Sequence, residues 1–212
     1  MYFVVPAETE QVMDYVGAKD LVIDQLKSGL SAEYYYHSVG HTLDVLKATD
    51  FLIKEENFTN DEIVTLLRTA AVFHDVGFLR QYNLNEAEAS KMAAELLPRF
   101  GYSGDQVKIV QRCIMVTQLG SEPQDLLEKI IKDADFDNLG RDDYWDVSIM
   151  LRKEWECVGI KKTDAEWFAL QIDFLSKHEY YTETAKRTRG PVKMGHVEVL
   201  KKLLGKLQDK PN

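Results

Sequence analysis

The spacing of apolar residues constrains the fold of this chain more than any other feature of its sequence. Apolar residues recur three and four positions apart almost throughout, and stretches that alternate apolar with polar residues are scarce. The first pattern is typical of helices with one buried face, whereas alternation would be typical of strands. Because 45% of the 212 residues are hydrophobic, such helices can bury a sizeable core. The sequence therefore predicts an all-α protein.

Capping and turn residues divide this pattern into separate helices. Thr59 followed by Glu62 has the spacing of a capping box at a helix start. Gly190 followed by Pro191 is expected to break a helix. The predicted helices cover about residues 8–27, 32–55, 59–74, 86–100, 103–118, 124–137, 142–158, 163–177, 182–188 and 192–207. Since no internal repeat or linker-like stretch interrupts them, we expect one domain over residues 1–212.

The charge and the cysteine content exclude several classes of protein. The formal net charge of −9 argues against a general nucleic-acid or membrane-surface binder, although a bound metal ion can still attract a phosphorylated substrate. The two cysteines form no CxxC pair, and we expect both Cys113 and Cys157 to be reduced thiols in or near the core. We find no secretory signal and no apolar run near the ~20 residues that a membrane span needs. A cytoplasmic protein is expected.

Histidines and aspartates are spaced so that they can meet around one metal ion. His37 and His41 are four residues apart, hence one turn apart on the predicted second helix. His74 and Asp75 end an apolar helical run, and Asp135 follows on a third helix. Together His41, His74, Asp75 and Asp135 offer two imidazoles and two carboxylates. This set suits one divalent ion of Mn, Fe, Co, Ni, Zn or Mg.

This order of residues resembles that of the HD-domain superfamily of metal-dependent phosphohydrolases. The flanking residues agree in the strings HTLDVL at 41–46, AAVFHDVG at 70–77 and DADFDNLGRDD at 133–143. The last string is similar to that of a bacterial subgroup of predicted HD phosphohydrolases of unsettled substrate. The resemblance covers about residues 35–140. It implies a helical bundle with a central metal site, in which His41, His74, Asp75 and Asp135 are the ligands.

The resemblance also implies catalytic roles, but this chain lacks two histidines that some members of the superfamily have. In the cyclic-nucleotide phosphodiesterase branch, the histidine at the position of His37 donates a proton to the leaving oxygen; a supporting or surface histidine is the alternative. Members with two metals carry further histidines near the positions of Glu86 and Thr117, and this chain has none there. We therefore expect one metal. Glu86 is expected to act as general base or to position water, or else only to stabilise its helix start.

Other residues are candidates for holding the substrate. Because phosphate needs cationic anchors, we assign Arg80, at the expected cleft mouth, and Lys132, beside the acidic string. Asp133 and Asp137 are expected to flank the site or face solvent. The basic residues between 186 and 193 are expected either at the surface or at the substrate. The aromatic run at 34–36 is expected either to pack in the core or to stack on a base.

These residues predict an enzyme whose metal ion activates water. Asp75 is the carboxylate best placed to accept a proton from that water. The expected substrate is a small phosphate ester, most simply a nucleotide, although nothing in the chain recognises a particular base. A regulatory module that binds metal and senses a nucleotide is the alternative. A metal-dependent oxygenase fits less well, because it needs two irons and further histidines.

Overall fold

The computed structural model of the chain describes residues 12–209. Over this range it contains ten α-helices and three short 3-10 turns, and no residue of the range lies in a strand. This confirms the prediction of an all-α protein. The helices are α1 (Tyr15–Gly29), α2 (Val39–Glu55), α3 (Asp61–Phe73), α4 (Asn85–Leu96), α5 (Gly104–Met115), α6 (Leu126–Asp135), α7 (Tyr144–Cys157), α8 (Asp164–Lys177), α9 (Glu183–Thr188) and α10 (Gly190–Gln208).

Side-chain caps fix several of these helix starts. Thr163 accepts a hydrogen bond from the amide of Glu166, and the Glu166 carboxylate accepts one from the amide of Thr163, so α8 begins with a capping box. Ser103 caps α5 in the same way. Helix α10 begins at Gly190, with Pro191 in its first turn, where the missing N–H has no intrahelical partner to lose.

Three helix starts differ from the prediction. Helix α2 begins after the N-cap Ser38, so the predicted start near residue 32 is wrong. The cap of α3 is Asn60, whose side chain accepts from the amide of Ile63, and the predicted box at Thr59 is not used. Within the described residues, α1 begins only at Tyr15. The part of the first predicted helix at residues 8–11 lies outside the described residues.

Helix α3 lies at the centre of the main core. It contacts α1, α2, α4, α5 and α6, and its last turns are almost entirely buried. The buried residues of α3 are Leu66, Leu67, Thr69, Ala70, Ala71, Val72 and Phe73. A helix that ends deep in the core carries the residues that follow it into the interior. The polar pair His74 and Asp75 is therefore buried because the preceding thirteen-residue helix ends inside the core.

A second and smaller apolar cluster lies where α8 packs along α10, beside α7. Its buried members are Leu139, Tyr144, Leu175, Val197 and Leu200. Phe136 packs against both this cluster and the main core, at the point where α6 ends. The prediction of one domain stays a prediction, but the two clusters share this side chain.

Two apolar side chains of α1 and its N-terminal flank, and one of the two cysteines, lie at the surface. Val12 and Val16 are exposed, because the buried face of α1 is formed instead by Ala18, Val22, Ile23 and Leu26. Cys113 is buried as expected, but Cys157, at the end of α7, is exposed. Between residues 12 and 209, none of the helices combines the length and the apolar character needed to cross a bilayer.

Candidate metal centre

Three helices bring the predicted metal ligands to one point. His41 lies in the first turn of α2, His74 directly follows α3, and Asp135 is the last residue of α6. These three helices contact one another pairwise, so the ligands approach from different sides. One ligand atom from each of the three side chains lies within 4.8 Å of the other two. This cluster could hold a metal ion.

The separations between these atoms match those around a single ion. Nε2 of His41 lies 3.3 Å from Nε2 of His74 and 3.2 Å from Oδ1 of Asp135, and the His74-to-Asp135 distance is 3.5 Å. Ligands about 2.1 Å from a common ion are about 3.0 Å apart at a right angle and about 3.4 Å apart at a tetrahedral angle. The cluster therefore fits a first-row divalent ion with little rearrangement.

Asp75 brings a fourth atom to the same point. Its Oδ2 lies 3.1 Å from Nε2 of His74 and 3.4 Å from Nε2 of His41. This oxygen is buried and accepts no hydrogen bond from the described residues. A buried carboxylate oxygen with no donor is costly unless something else meets its charge. A cation at the centre of the cluster would do so, and the assignment of Asp75 as a ligand stays a prediction that this geometry supports.

Neighbouring groups orient two of the ligands. Nδ1 of His74 lies 2.8 Å from the carbonyl oxygen of Ala71 and can only donate to it, which leaves Nε2 as the unprotonated nitrogen of the neutral ring. The Asn85 side-chain amide donates to Oδ1 of Asp75 over 3.1 Å, so Oδ2 is the oxygen turned to the cluster. Sequence reasoning missed Asn85, because an asparagine at a helix start usually indicates only a cap.

The charges of the cluster shift the pKa values of its members in opposite directions. Burial lowers the pKa of His74, but the carboxylates of Asp75 and Asp135 outweigh burial and raise this pKa well above its ordinary value. Burial raises the pKa of Asp135, and the contacts with the imidazoles of His41 and His74 outweigh it, so the pKa of this carboxyl is strongly lowered. Protons and metal ions therefore compete for the same nitrogen and oxygen atoms.

His37 lies beside the cluster but not on helix α2. Since Ser38 caps the helix, the expectation that His37 sits one helical turn before His41 is wrong. The ring of His37 is nevertheless 6.1 Å from that of His41, centroid to centroid, and it stacks on Phe78. The bent segment before α2 and the Phe78 ring thus place His37 beside His41.

Glu154 of α7 holds this approach in place. Its Oε2 accepts from the backbone amides of Tyr36 and His37, at 2.9 and 3.0 Å, and its Oε1 contacts Nδ1 of His37. The Tyr82 hydroxyl donates to the same Oε1 over 3.0 Å. Four donors thus meet one fully buried carboxylate. Burial raises the pKa of Glu154, but the contact with His37 outweighs burial and lowers it.

The same contact acts on His37. Burial lowers the pKa of His37, yet the hydrogen bond with Glu154 and the charges of Asp75 and Asp135 outweigh it and raise the pKa above its usual value. Sequence reasoning missed Glu154, which lies outside residues 35–140. One signal was present: Glu154 occupies the same helical stripe as Val147 and Leu151, at spacings typical of a buried face.

Glu86 lies in the first turn of α4 and is half-buried. Burial raises the pKa of its carboxyl, and the charges of Asp75 and Asp135 raise it further. The carboxylates of the candidate metal centre are therefore close enough to act on the carboxyl of Glu86. Its role as a general base stays a prediction.

The two predicted phosphate anchors have other partners. The ammonium of Lys132 is buried and donates to the carbonyl oxygens of Val116, Thr117 and Gln118. Because an ammonium has three hydrogens, no donor is left for phosphate. Arg80 is partly exposed and pairs with the carboxylates of Glu88 and Glu95. Both assignments stay predictions, and this geometry weighs against that of Lys132.

The remaining acidic residues of the DADFDNLGRDD string have structural contacts. Asp133 is buried and accepts from the amides of Tyr181 and Thr182, so of the two alternatives, flanking the site or facing solvent, the second is wrong. Burial raises the pKa of its carboxyl to about 6, although these hydrogen bonds lower it. Asp137 is buried too and pairs with Arg189, one of the basic residues between 186 and 193.

The remaining histidines and the tyrosine run also pack within the structure. His196 stacks on Tyr144, and its Nε2 lies 2.9 Å from the carbonyl oxygen of Arg141. His178 packs against Phe136 and contacts Lys193. Tyr36 lies against the ring of His41. Neither His178 nor His196 belongs to the ligand cluster.

No protein-family model matches this chain, and no match was found among the curated proteins or among the solved structures compared with it.

Proposed function

We propose that this protein is a metal-dependent phosphohydrolase that cleaves a small phosphate ester. One divalent ion would be held by His41, His74, Asp75 and Asp135. The observation that carries the proposal is the convergence of two imidazoles and two carboxylates, one of which has a buried oxygen without a donor. When bound, the ion would offset the negative charge of the ester and lower the pKa of a water molecule.

The residues around the ligands supply acid and base groups for such a reaction. Nδ1 of His37 is tied to Glu154, which leaves Nε2 as the nitrogen that can give a proton to the leaving oxygen. The raised pKa of His37 increases the fraction that carries this proton near neutral pH. Asp75 or Glu86 would accept the proton of the attacking water, and the raised pKa of Glu86 suits that task.

Two measurements on the purified protein test the proposal. Elemental analysis should find one divalent ion per chain. A screen with Mn, Mg, Ni and Co should show turnover of p-nitrophenyl phosphate, its bis ester or a member of a nucleotide panel. Asp75→Ala should lose metal and activity together. Metal bound at one ion per chain without turnover of any of these esters would contradict the proposal and favour a regulatory module instead.

His37→Ala separates the acid from the metal site. We expect kcat to fall about 10²- to 10⁴-fold, because the leaving oxygen loses its proton donor. The metal content should stay at the wild-type value, since His37 is not among the ligands. A matched control is His196→Ala, which removes an imidazole that stacks on Tyr144 in the second apolar cluster. If kcat of His37→Ala equals that of the wild type, His37 takes no part in the reaction.

A further inference from the structure

A cavity of about 440 Å³ opens directly beside the candidate metal centre. His41 and Asp135 form part of its wall, so a substrate held at the ion would extend into this space. The cavity is bounded by the start of α2, the turn after α6 and the first turns of α7. It is large enough for the organic part of a small phosphate ester.

The wall of this cavity, hereafter the acidic cavity, carries mostly negative charge. Its carboxylates are those of Asp44, Asp135, Asp137, Asp143 and Asp146. Its one guanidinium, that of Arg141, already pairs with Asp44 at 3.1 Å and with Asp143 at 2.6 Å. Outside the wall, Arg189 pairs with Asp137. With Asp135 assigned to the ion, the other four carboxylates and the one guanidinium of the wall have a net charge of −3. The neighbouring charges of Arg189, Lys47, Lys153 and Asp142 reduce this to −1.

The metal centre does not offset this charge. One divalent ion balances the carboxylates of Asp75 and Asp135, so the centre is neutral before substrate binds. The predicted anchors Arg80 and Lys132 are absent from the wall. The organic part of a phosphate ester would therefore enter a negatively charged space, which disfavours a second anionic group and favours a cation.

The uncharged part of the wall suits an organic cation. Tyr35 and Tyr36 contribute aromatic rings, and Val147 and Met150 contribute apolar surface. Aromatic faces attract ammonium groups, and the ammonium of Lys153 already lies 5.8 Å from the centroid of the Tyr35 ring. The side-chain oxygen of Asn138, another residue of the wall, is buried and has no donor among the described residues. An N–H group of a ligand would supply that donor if the amide turned toward it.

We propose that the acidic cavity selects a phosphate ester whose alcohol carries an ammonium group, such as a phosphorylated amino alcohol. The proposal rests on the proposed phosphohydrolase function. It changes the expected substrate, because a nucleotide brings a neutral base, and often further phosphates, into the same space. Asp146 is the carboxylate of the wall with no ion-pair partner within residues 12–209, so its charge is free to act on a ligand.

Three esters of similar size test the selection: O-phosphoethanolamine, propyl phosphate and phosphoglycolate, which carry a cation, no charge and an anion. With the Mn-loaded protein, kcat/KM should be about three- to tenfold higher for O-phosphoethanolamine than for propyl phosphate, and lowest for phosphoglycolate. Asp146→Asn should reduce the first preference several-fold. Glu156→Gln, which removes a carboxylate of the same helix outside the cavity, should leave the preference unchanged.

Binding separates this proposal from the proposed function. Calorimetry of the Mn-loaded protein with aminopropylphosphonate and butylphosphonate measures the charge preference without any hydrolysis. Tighter binding of the aminated compound, lost in Asp146→Asn, supports the acidic cavity even if no ester is turned over. Equal or reversed preference would overturn it even if p-nitrophenyl phosphate is hydrolysed. Two tightly bound Mn ions per chain would also overturn it, because the second ion would meet the charge of the cavity.

Discussion

Gly77 lies between the packed core and the candidate metal centre, so a change at this residue should affect both. It lies in the 3-10 turn Val76–Leu79, directly after the His74–Asp75 pair, and α4 crosses it closely. A Cβ atom at this position would lie 1.9 Å from the carbonyl oxygen of Asn85 and 2.8 Å from the amide nitrogen of Ala89. Both are backbone atoms, so no side-chain rotation relieves the overlap.

Gly77→Ala should therefore displace the start of α4. Since Cβ atoms essentially never approach another heavy atom within 3.0 Å, the Asn85 carbonyl must retreat by about 1 Å. Overpacking of this kind costs about 1–3 kcal/mol, and the size of this overlap places the expected loss of unfolding free energy at about 3 kcal/mol. The same shift would stretch the 3.1 Å hydrogen bond from Asn85 to Asp75 beyond bonding distance.

Two assays measure these effects separately. Urea unfolding gives the change in unfolding free energy, and calorimetric titration with Mn gives the metal affinity, which should fall about 10- to 100-fold when an orienting hydrogen bond is lost. Gly195→Ala is the matched control, because no atom lies within 4 Å of its added Cβ inside α10. It should stabilise the protein by about 0.5–1 kcal/mol.

The reasoning fails if Gly77→Ala unfolds at the same urea concentration as the wild type. If this variant does not fold at all, Asn85→Ala tests the second half alone, since it removes the hydrogen bond to Asp75 without the overlap. A folded Asn85→Ala protein with wild-type Mn affinity would show that Asn85 does not orient the ligand.

Three further substitutions test individual contacts. Glu154→Gln should lower kcat at unchanged metal content and move the alkaline fall of kcat to lower pH, because Glu154 raises the pKa of His37; an unmoved pH profile contradicts this. Burial and the charge of Lys193 lower the pKa of His178 to about 4. As the pH falls below 6.5, His178 therefore binds a proton in the unfolded chain before it does so in the folded chain. Between pH 7 and 5, the unfolding free energy of the wild type, measured in urea, should fall by about 2 kcal/mol, and this fall should be absent in His178→Asn. Equal pH dependence of the two proteins would refute it. Lys132→Met should cost about 1–3 kcal/mol in the same assay, because buried carbonyls lose their donor, and should leave KM unchanged; a raised KM with wild-type stability would instead support a phosphate anchor.

The features that could be predicted from the sequence are those that depend on residue type and on spacing along the chain. The three- and four-residue apolar spacing predicts helices because it reflects the period of the helix itself, and it holds for α3 and α8. His41, His74 and Asp135 could be assigned as candidate ligands from residue type and order. Imidazoles and carboxylates at the ends of buried helices are unfavourable unless a charged or polar partner meets them. The 4.8 Å cluster confirms that these three meet.

The local path of the chain before α2 could not be predicted in the same way. A helix from residue 32 is favoured by the spacing of apolar residues, but the amides of Tyr36 and His37 bond instead to Glu154, more than a hundred residues further along the chain. An amide at a helix start can donate to such a carboxylate at little cost, because the first turn of a helix leaves its N–H groups without partners. Only the fold shows that the acceptor is near.

Through Glu154, the segment after residue 142 contributes to the candidate site. A buried carboxylate is unfavourable unless donors surround it, and here the four donors come from Tyr36, His37 and Tyr82, all of which lie between α1 and α4. Helix α7 therefore does more than cover the second apolar cluster, because it supplies the group that fixes His37 beside the ligands. A chain cut after residue 140 would keep the four predicted ligands and lose the group that orients the candidate acid. The resemblance at residues 35–140 covers the predicted ligands, whereas the carboxylate that contacts the candidate acid lies in α7.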